Sequence, residues 1–120
     1  KMKTLITFLC VITFNTNIFS QTDVVRVSPD GVVVVEFNAG WNTAKYVPWV
    51  KNLNDCKTNR LLIDKAPKMA SKYKIVVVPT IVVFKDGEES ARFQANIMMD
   101  IEATLKEVQE AVDEAHMEGF

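Results

Sequence analysis

The chain has 120 residues, 48% of them apolar and 24% charged, with a formal net charge of −1. Such a composition excludes a disordered tail and fits one small domain with an ordinary core. Lys and Glu are interleaved rather than blocked, so no basic face points to nucleic acid or an anionic membrane surface.

The first twenty residues differ from the rest. Lys1 and Lys3 open a basic start, Leu5 to Phe14 is an almost unbroken apolar run, and Asn15 to Ser20 turns polar before Gln21. This is the pattern of a secretory signal peptide over residues 1–20, cleaved near Ser20, with a domain over 21–120. The apolar run is about ten residues, short of the ~20 that span a bilayer, so membrane attachment is expected only if residues 1–20 are retained. Cys10 lies inside the run rather than closing it, which argues against lipidation. Cleavage leaves Cys56 as the one cysteine of the mature chain, with no partner for an internal disulfide.

Val32 to Phe37 is a β-branched run too short for a helix and typical of a strand buried on both faces. A loop around Gly40 follows, and Val47, Val50 and Leu53 recur at helical spacing, predicting a helix from Ala44 to Asn54 with Pro48 in its first turn. Arg60 to Ile63 is a second strand, and strand, helix, strand at this length implies a right-handed parallel crossover. Pro67 opens a short helix to Tyr73. Thr80 to Phe84 is a further strand, and Lys85-Asp86-Gly87-Glu88 carries the Asp-Gly pair of a tight hairpin, which makes Ala91 to Gln94 its antiparallel partner. Ile101, Leu105, Val108 and Val112 then mark an amphipathic helix to about Ala115, with Asp100 as N-cap.

This order, with Glu36-Phe37 and Trp41 in step, Ile63-Asp64, Lys72-Tyr73-Lys74-Ile75, Val78-Pro79-Thr80 and Phe84-Lys85-Asp86-Gly87-Glu88, resembles the thioredoxin family over nearly the whole mature chain. The resemblance implies an α/β fold, the thioredoxin-like three-layer sandwich, with a mixed central sheet and helices on both faces. It also locates the departure that matters. Asn42 stands at the position of the family's nucleophilic cysteine and Lys45 at that of the resolving cysteine. Dithiol exchange needs a thiolate to attack and a second thiol to release the mixed disulfide, and an amide and an ammonium supply neither.

Several residues carry two readings. Cys56 precedes Asp64 by eight residues, about 25 Å along an extended strand, so it belongs at the end of the sheet away from Asn42. It is a small buried apolar residue or, in the alternative, a reactive thiol. Glu36 matches the family's buried acid; with no thiol to serve, it is expected to form a buried ion pair with Arg60, against a functional acid or an outward-facing side chain. Val78-Pro79 resembles the family's cis-proline turn, which either holds the fold or offers backbone groups to an extended peptide. Ile97, Met98 and Met99 form an apolar lip with Trp41 or tuck under the last helix. Trp49 is expected in the core and His116 in solvent near a helix C-terminus. No metal cluster, phosphate loop or Ser-His-Asp set is present in the sequence, so no cofactor and no metal is implied.

The expected function is therefore an exported, periplasmic or secreted module of thioredoxin-like fold without a redox cysteine pair. It would hold a protein or extended peptide through Trp41, Asn42, Val78, Pro79, Ile97, Met98 and Met99. The alternatives are a thiol-disulfide oxidoreductase acting through Cys56 alone or with a partner's thiol, and a structural subunit of an exported assembly.

Overall fold

The structure is a computed structural model that describes residues 31–118. The leader proposed for residues 1–20, with Cys10 inside it, lies outside the described residues. The apolar run forms β1 (Val32–Asn38), buried along its whole length. Three strands join it in the order β2-β1-β3-β4: β2 (Lys57–Leu62) runs parallel to β1, β3 (Thr80–Lys85) antiparallel to β1, and β4 (Glu88–Gln94) antiparallel to β3. A central strand so enclosed can be apolar on both faces. Alternate residues of β1 therefore feed two cores.

Val32 and Val34 join Ile81 and Val83 on one face, under α2 (Leu105–Met117), which contributes Val108, Ala111, Val112 and Ala115. Val33, Val35 and Phe37 join Leu61, Val82 and Phe84 on the other, where Met69 of α1 (Pro67–Lys72) and Tyr73 pack against them. The Tyr73 ring meets Phe37 and Phe84 with centroids 5.7 and 5.1 Å away. Helix, sheet and helix make the three layers of the α/β fold that the resemblance implied. The β3–β4 turn has positive φ at Asp86 (52°) and Gly87 (87°), the conformation a two-residue hairpin imposes and Asp-Gly accepts.

The structure corrects four element boundaries, one of them that of β4, which begins at Glu88 rather than Ala91. In place of one helix from Ala44 to Asn54 there are two isolated 3-10 turns, Thr43–Lys45 and Val50–Asn52, with Tyr46 extended between them. Pro48 disfavours helical backbone at Val47, and the Val47 N–H that a helix would need donates instead to Glu36 Oε2 at 3.0 Å. The apolar periodicity still marks what is buried, since Val47, Val50 and Leu53 all enter the core. The second strand begins at Lys57 rather than Arg60 and ends at Leu62. The last helix starts after Thr104, not Asp100: the Thr104 hydroxyl accepts from Glu107 N while the Glu107 carboxylate accepts from Thr104 N, a reciprocal capping box. Ile101 consequently stays outside that helix.

Candidate functional site

The carboxyl end of β1 carries a buried polar chain that begins at Glu36. Its side chain points to the same face as Val32 and Val34, two and four residues earlier, but at this depth a carboxylate needs partners. Arg60 sits opposite it in the β1–β2 register and donates from Nε to Glu36 Oε1 at 3.0 Å. Glu36 Oε2 accepts from Asn38 Nδ2 at 2.8 Å and from Val47 N at 3.0 Å. The Glu36 side chain is 1% exposed and that of Arg60 37%, so the pair is buried at one end and open at the other. Arg60 also lies over the Tyr46 ring, 4.1 Å from its centroid, and Nη2 reaches Val47 O at 3.4 Å.

Asn38 extends the chain toward the loop. Its Oδ1 accepts from Ala39 N at 2.9 Å and from Asn42 Nδ2 at 3.0 Å, and its Nδ2 also reaches Lys45 O at 3.2 Å. Asn42 is only 7% exposed and its amide turns inward. At the position where the resemblance expects a nucleophile, the side chain is thus a structural link. Lys45 points the other way, to an ion pair with Asp100 that ties the Trp41 loop to the loop over residues 96–100. Gly40 completes the anchoring: its N–H donates to Asp64 Oδ1 at 2.8 Å, and a β-carbon there would stand 2.9 Å from Asp64 Oδ2.

Beside this loop runs an apolar groove of about 270 Å³, walled by Trp41, Ile63, Ile75, the Val76–Val78 segment, Ile97 and Met99. The Val78–Pro79 peptide bond is cis. Among the described residues, Val76, Val77 and Val78 donate no backbone hydrogen bond. Trp41 is 65% exposed, and Ile97 at 96%, Met98 at 68% and Met99 at 37% are not tucked under α2. The turn that carries them is firmly built: Asn96 Oδ1 accepts from Met98 N at 2.8 Å and Asp100 N at 3.1 Å, while Asn96 Nδ2 donates to Glu102 at 2.9 Å. The structure therefore brings Trp41, Val78, Ile97 and Met99 together around one groove. Met98 stands exposed on the same turn, whereas Asn42 and Pro79 are not among the groove's walls.

Cys56 is elsewhere. It precedes Lys57, which pairs with Val33 at the start of β1, whereas Asn38 at the groove end pairs with Leu62. Six residues of strand separate Cys56 from Leu62, about 20 Å. The thiol is half-buried against the α2 face, and that burial, followed by the nearby Asp55 and Asp113 carboxylates, pushes its pKa up. A thiol in such surroundings is a poor nucleophile at neutral pH. His116, expected in solvent, is half-buried and its Nε2 lies 2.6 Å from Asp55 O; a carbonyl only accepts, so Nε2 carries the proton. Trp49 packs partly buried against the α2 core.

The ion pair and the groove rest on residues visible in the sequence, but Asn38, Tyr46, Asn96 and Asp100 were missed as site residues. Asn38 alone left a signal, a second polar residue, after Glu36, in a strand buried along its whole length. The others act through loop conformation, which single residues do not announce.

Among known proteins, the family model described as thioredoxin matches residues 11–107. Similar proteins include "Thioredoxin Y1, chloroplastic" of Arabidopsis thaliana, 29% identical over 73% of this chain and 58% of that protein. "Thioredoxin-2, mitochondrial" of Schizosaccharomyces pombe is 31% identical over 71% of this chain and 68% of that protein. The chain thus spans under two thirds of the first relative's length. In structure, a mutant thioredoxin of Halobacterium salinarum aligns with a TM-score of 0.62 at 22% identity, covering 81% of this chain and 84% of that one, a likeness of fold alone. A cysteine-to-serine mutant of the Entamoeba histolytica protein aligns with a TM-score of 0.55 at 27% identity, covering 72% of this chain and 84% of that one.

Proposed function

The chain belongs to the thioredoxin family, and within that family we propose that it is a non-catalytic module that holds a protein or extended peptide in the Trp41 groove. The observation that carries this reading is the pairing of an exposed apolar rim with unpaired backbone. Trp41, Ile97 and Met98 stand in solvent around the Val76–Val78 segment, whose N–H groups have no acceptor among the described residues. A strand laid along that segment gains main-chain hydrogen bonds and buries the rim. Asn42 and Lys45 support the absence of dithiol chemistry, since neither carries sulfur and both are engaged in fixing the loop.

The module is proposed to act outside the cytoplasm, in the periplasm or as a secreted protein, after cleavage near Ser20. Intact mass of the chain from each cell fraction checks that. A processed N-terminus in the exported fraction supports it, and a full-length cytoplasmic chain refutes it. Binding is tested by titrating the purified protein with a panel of extended apolar peptides while following Trp41 fluorescence in a Trp49→Phe background. Saturable changes that vanish in Ile97→Ser support the groove; a flat response across the panel refutes it.

The names of the relatives favour a second reading, thiol-disulfide exchange through Cys56. It requires insulin-disulfide reduction that disappears in Cys56→Ser. Equal background rates in both proteins remove it.

A further inference from the structure

A second cavity lies beside the two 3-10 turns, on the face of the sheet that carries α2. It is a cleft of about 380 Å³ whose floor is the Arg60–Glu36 pair and whose walls include Tyr46, Pro48, Val50, Lys51 and Thr58. That size lies at the lower end of the roughly 300–1,000 Å³ typical of small-molecule sites. The groove beside Trp41 is lined by Ile63 and Ile75, which pack on the opposite face, so the two cavities are distinct.

The charges in the cleft are uneven. Glu36 lies at the floor with its carboxylate oxygens already taken up by Asn38, Val47 and Arg60, so the groups left free to a visitor are donors. It meets cations. Arg60 engages Glu36 through Nε and Val47 O through a long Nη2 contact, but Nη1 donates to no group among the described residues. Its planar fork is held in orientation by the Tyr46 ring and by the carboxylate behind it, which lowers the cost of ordering it around a ligand. Lys51, exposed on the second 3-10 turn, has no ion-pair partner among the described residues, and the Thr58 hydroxyl makes no hydrogen bond there. Pro48 and Val50 add an apolar wall beside these donors.

From this arrangement we infer that the cleft is a binding site for a small organic monocarboxylate with a compact apolar body. The carboxylate lies on Arg60 and Lys51, and the body on Pro48 and Val50. One net positive charge matches one carboxylate, and the apolar wall distinguishes such a ligand from an inorganic anion.

The test uses the full chain labelled with nitrogen-15 and three probes: benzoate, benzylamine with the same ring and opposite charge, and inorganic sulfate with charge but no body. Benzoate should move the Arg60 Nε–H signal and the Lys51 and Thr58 amides saturably, sulfate more weakly, and benzylamine not at all. Lys51→Met, an exposed substitution that leaves the core untouched, should weaken benzoate binding about fivefold, the scale of one exposed charge contact. Arg60→Lys keeps the charge but loses the fork, and should weaken it about tenfold. The inference is overturned if benzoate gives no saturable shift, if benzylamine binds as well, if the shifts map to Trp41 instead, or if Lys51→Met binds as tightly as the wild type. Peptide titrations at the groove are unaffected by either outcome.

Discussion

Arg60→Met tests the buried polar chain most directly. The substitution keeps an unbranched side chain over Tyr46 but removes the cation facing Glu36, whose side chain is 1% exposed. Stranding a buried charge costs about 3–5 kcal/mol in proteins. Here the lower end applies, because Asn38 Nδ2 and Val47 N still donate to Oε2 and the Arg60 end of the pair is 37% open to water. A loss of about 3 kcal/mol corresponds to a fall in Tm of ~12–24 °C for a domain of this size.

The double variant Glu36→Gln/Arg60→Met separates charge from packing. A carboxamide oxygen turned toward Val47 N and Asn38 Nδ2 still satisfies both donors, and no charge remains to be compensated. The double variant should therefore recover to within ~1–1.5 kcal/mol of wild type, the remainder being the lost cation–π contact and lost fit. Urea denaturation followed by far-ultraviolet circular dichroism measures both, with the midpoint shifting and the slope unchanged. If Arg60→Met unfolds within 0.5 kcal/mol of wild type (about the scale of a neutral surface change), or if the double variant is the less stable of the two, Arg60 is not what neutralises Glu36.

Three further outcomes follow from named contacts. Cys56 has its pKa pushed up from the ordinary 9.0 by burial and by Asp55 and Asp113; both states hold the proton below 9.0, so its contribution to stability is complete there. As pH rises past that value the unfolded thiol ionises first and stability falls until the folded value is passed, a loss that urea midpoints should show in wild type and not in Cys56→Ser. Thr104→Ala removes half of the capping box and should cost about 1 kcal/mol by the same assay, with Ser at that position restoring it; an unchanged midpoint would place the helix start elsewhere. Asn96→Ala strips two backbone N–H groups of their acceptor and should loosen the Ile97–Met99 turn, seen as faster amide exchange at Met98 and Asp100 and weaker peptide binding, with global stability nearly unchanged.

Where one residue type dictates one local geometry, the sequence was easy to read. β-branched runs at Val32–Val35 and Ile81–Val83 are strands because their side chains pack well on a pleated surface, and Asp86-Gly87 is a hairpin because few other pairs tolerate positive φ twice. The helix predicted from Ala44 to Asn54 failed because its periodicity reports burial, and burial is satisfied equally by two 3-10 turns laid over the same core. The competitor was not local: a carboxylate eleven residues away took the Val47 N–H. The Asp100 cap failed for a similar reason. Asp100 is drawn into the Asn96 turn and the Lys45 ion pair, leaving Thr104, with Glu107 in step, to start α2.

These two failures share a cause that bears on function. Asn42 bonds inward to Asn38, Asn38 to Glu36, and Glu36 to both Arg60 and the Val47 amide, so the loop after β1 is held by polar side chains from its own strand. Lys45 clasps the same loop to the turn that presents Ile97 and Met98. A loop anchored in this way keeps Trp41 in place without help from a long helix behind it, and that helix can be dispensed with. The Arg60 cleft is walled by residues of the same stretch, Tyr46, Pro48, Val50 and Lys51. The two 3-10 turns and the cleft thus rest on one loop, held by the same polar side chains. A chain in which Asn38 is replaced by Leu should loosen the loop and the cleft together: Glu36 and Asn42 would each lose a partner, and Trp41 emission and the Arg60 Nε–H signal should then broaden in concert. If only one of the two signals responds, the loop and the cleft are independent after all.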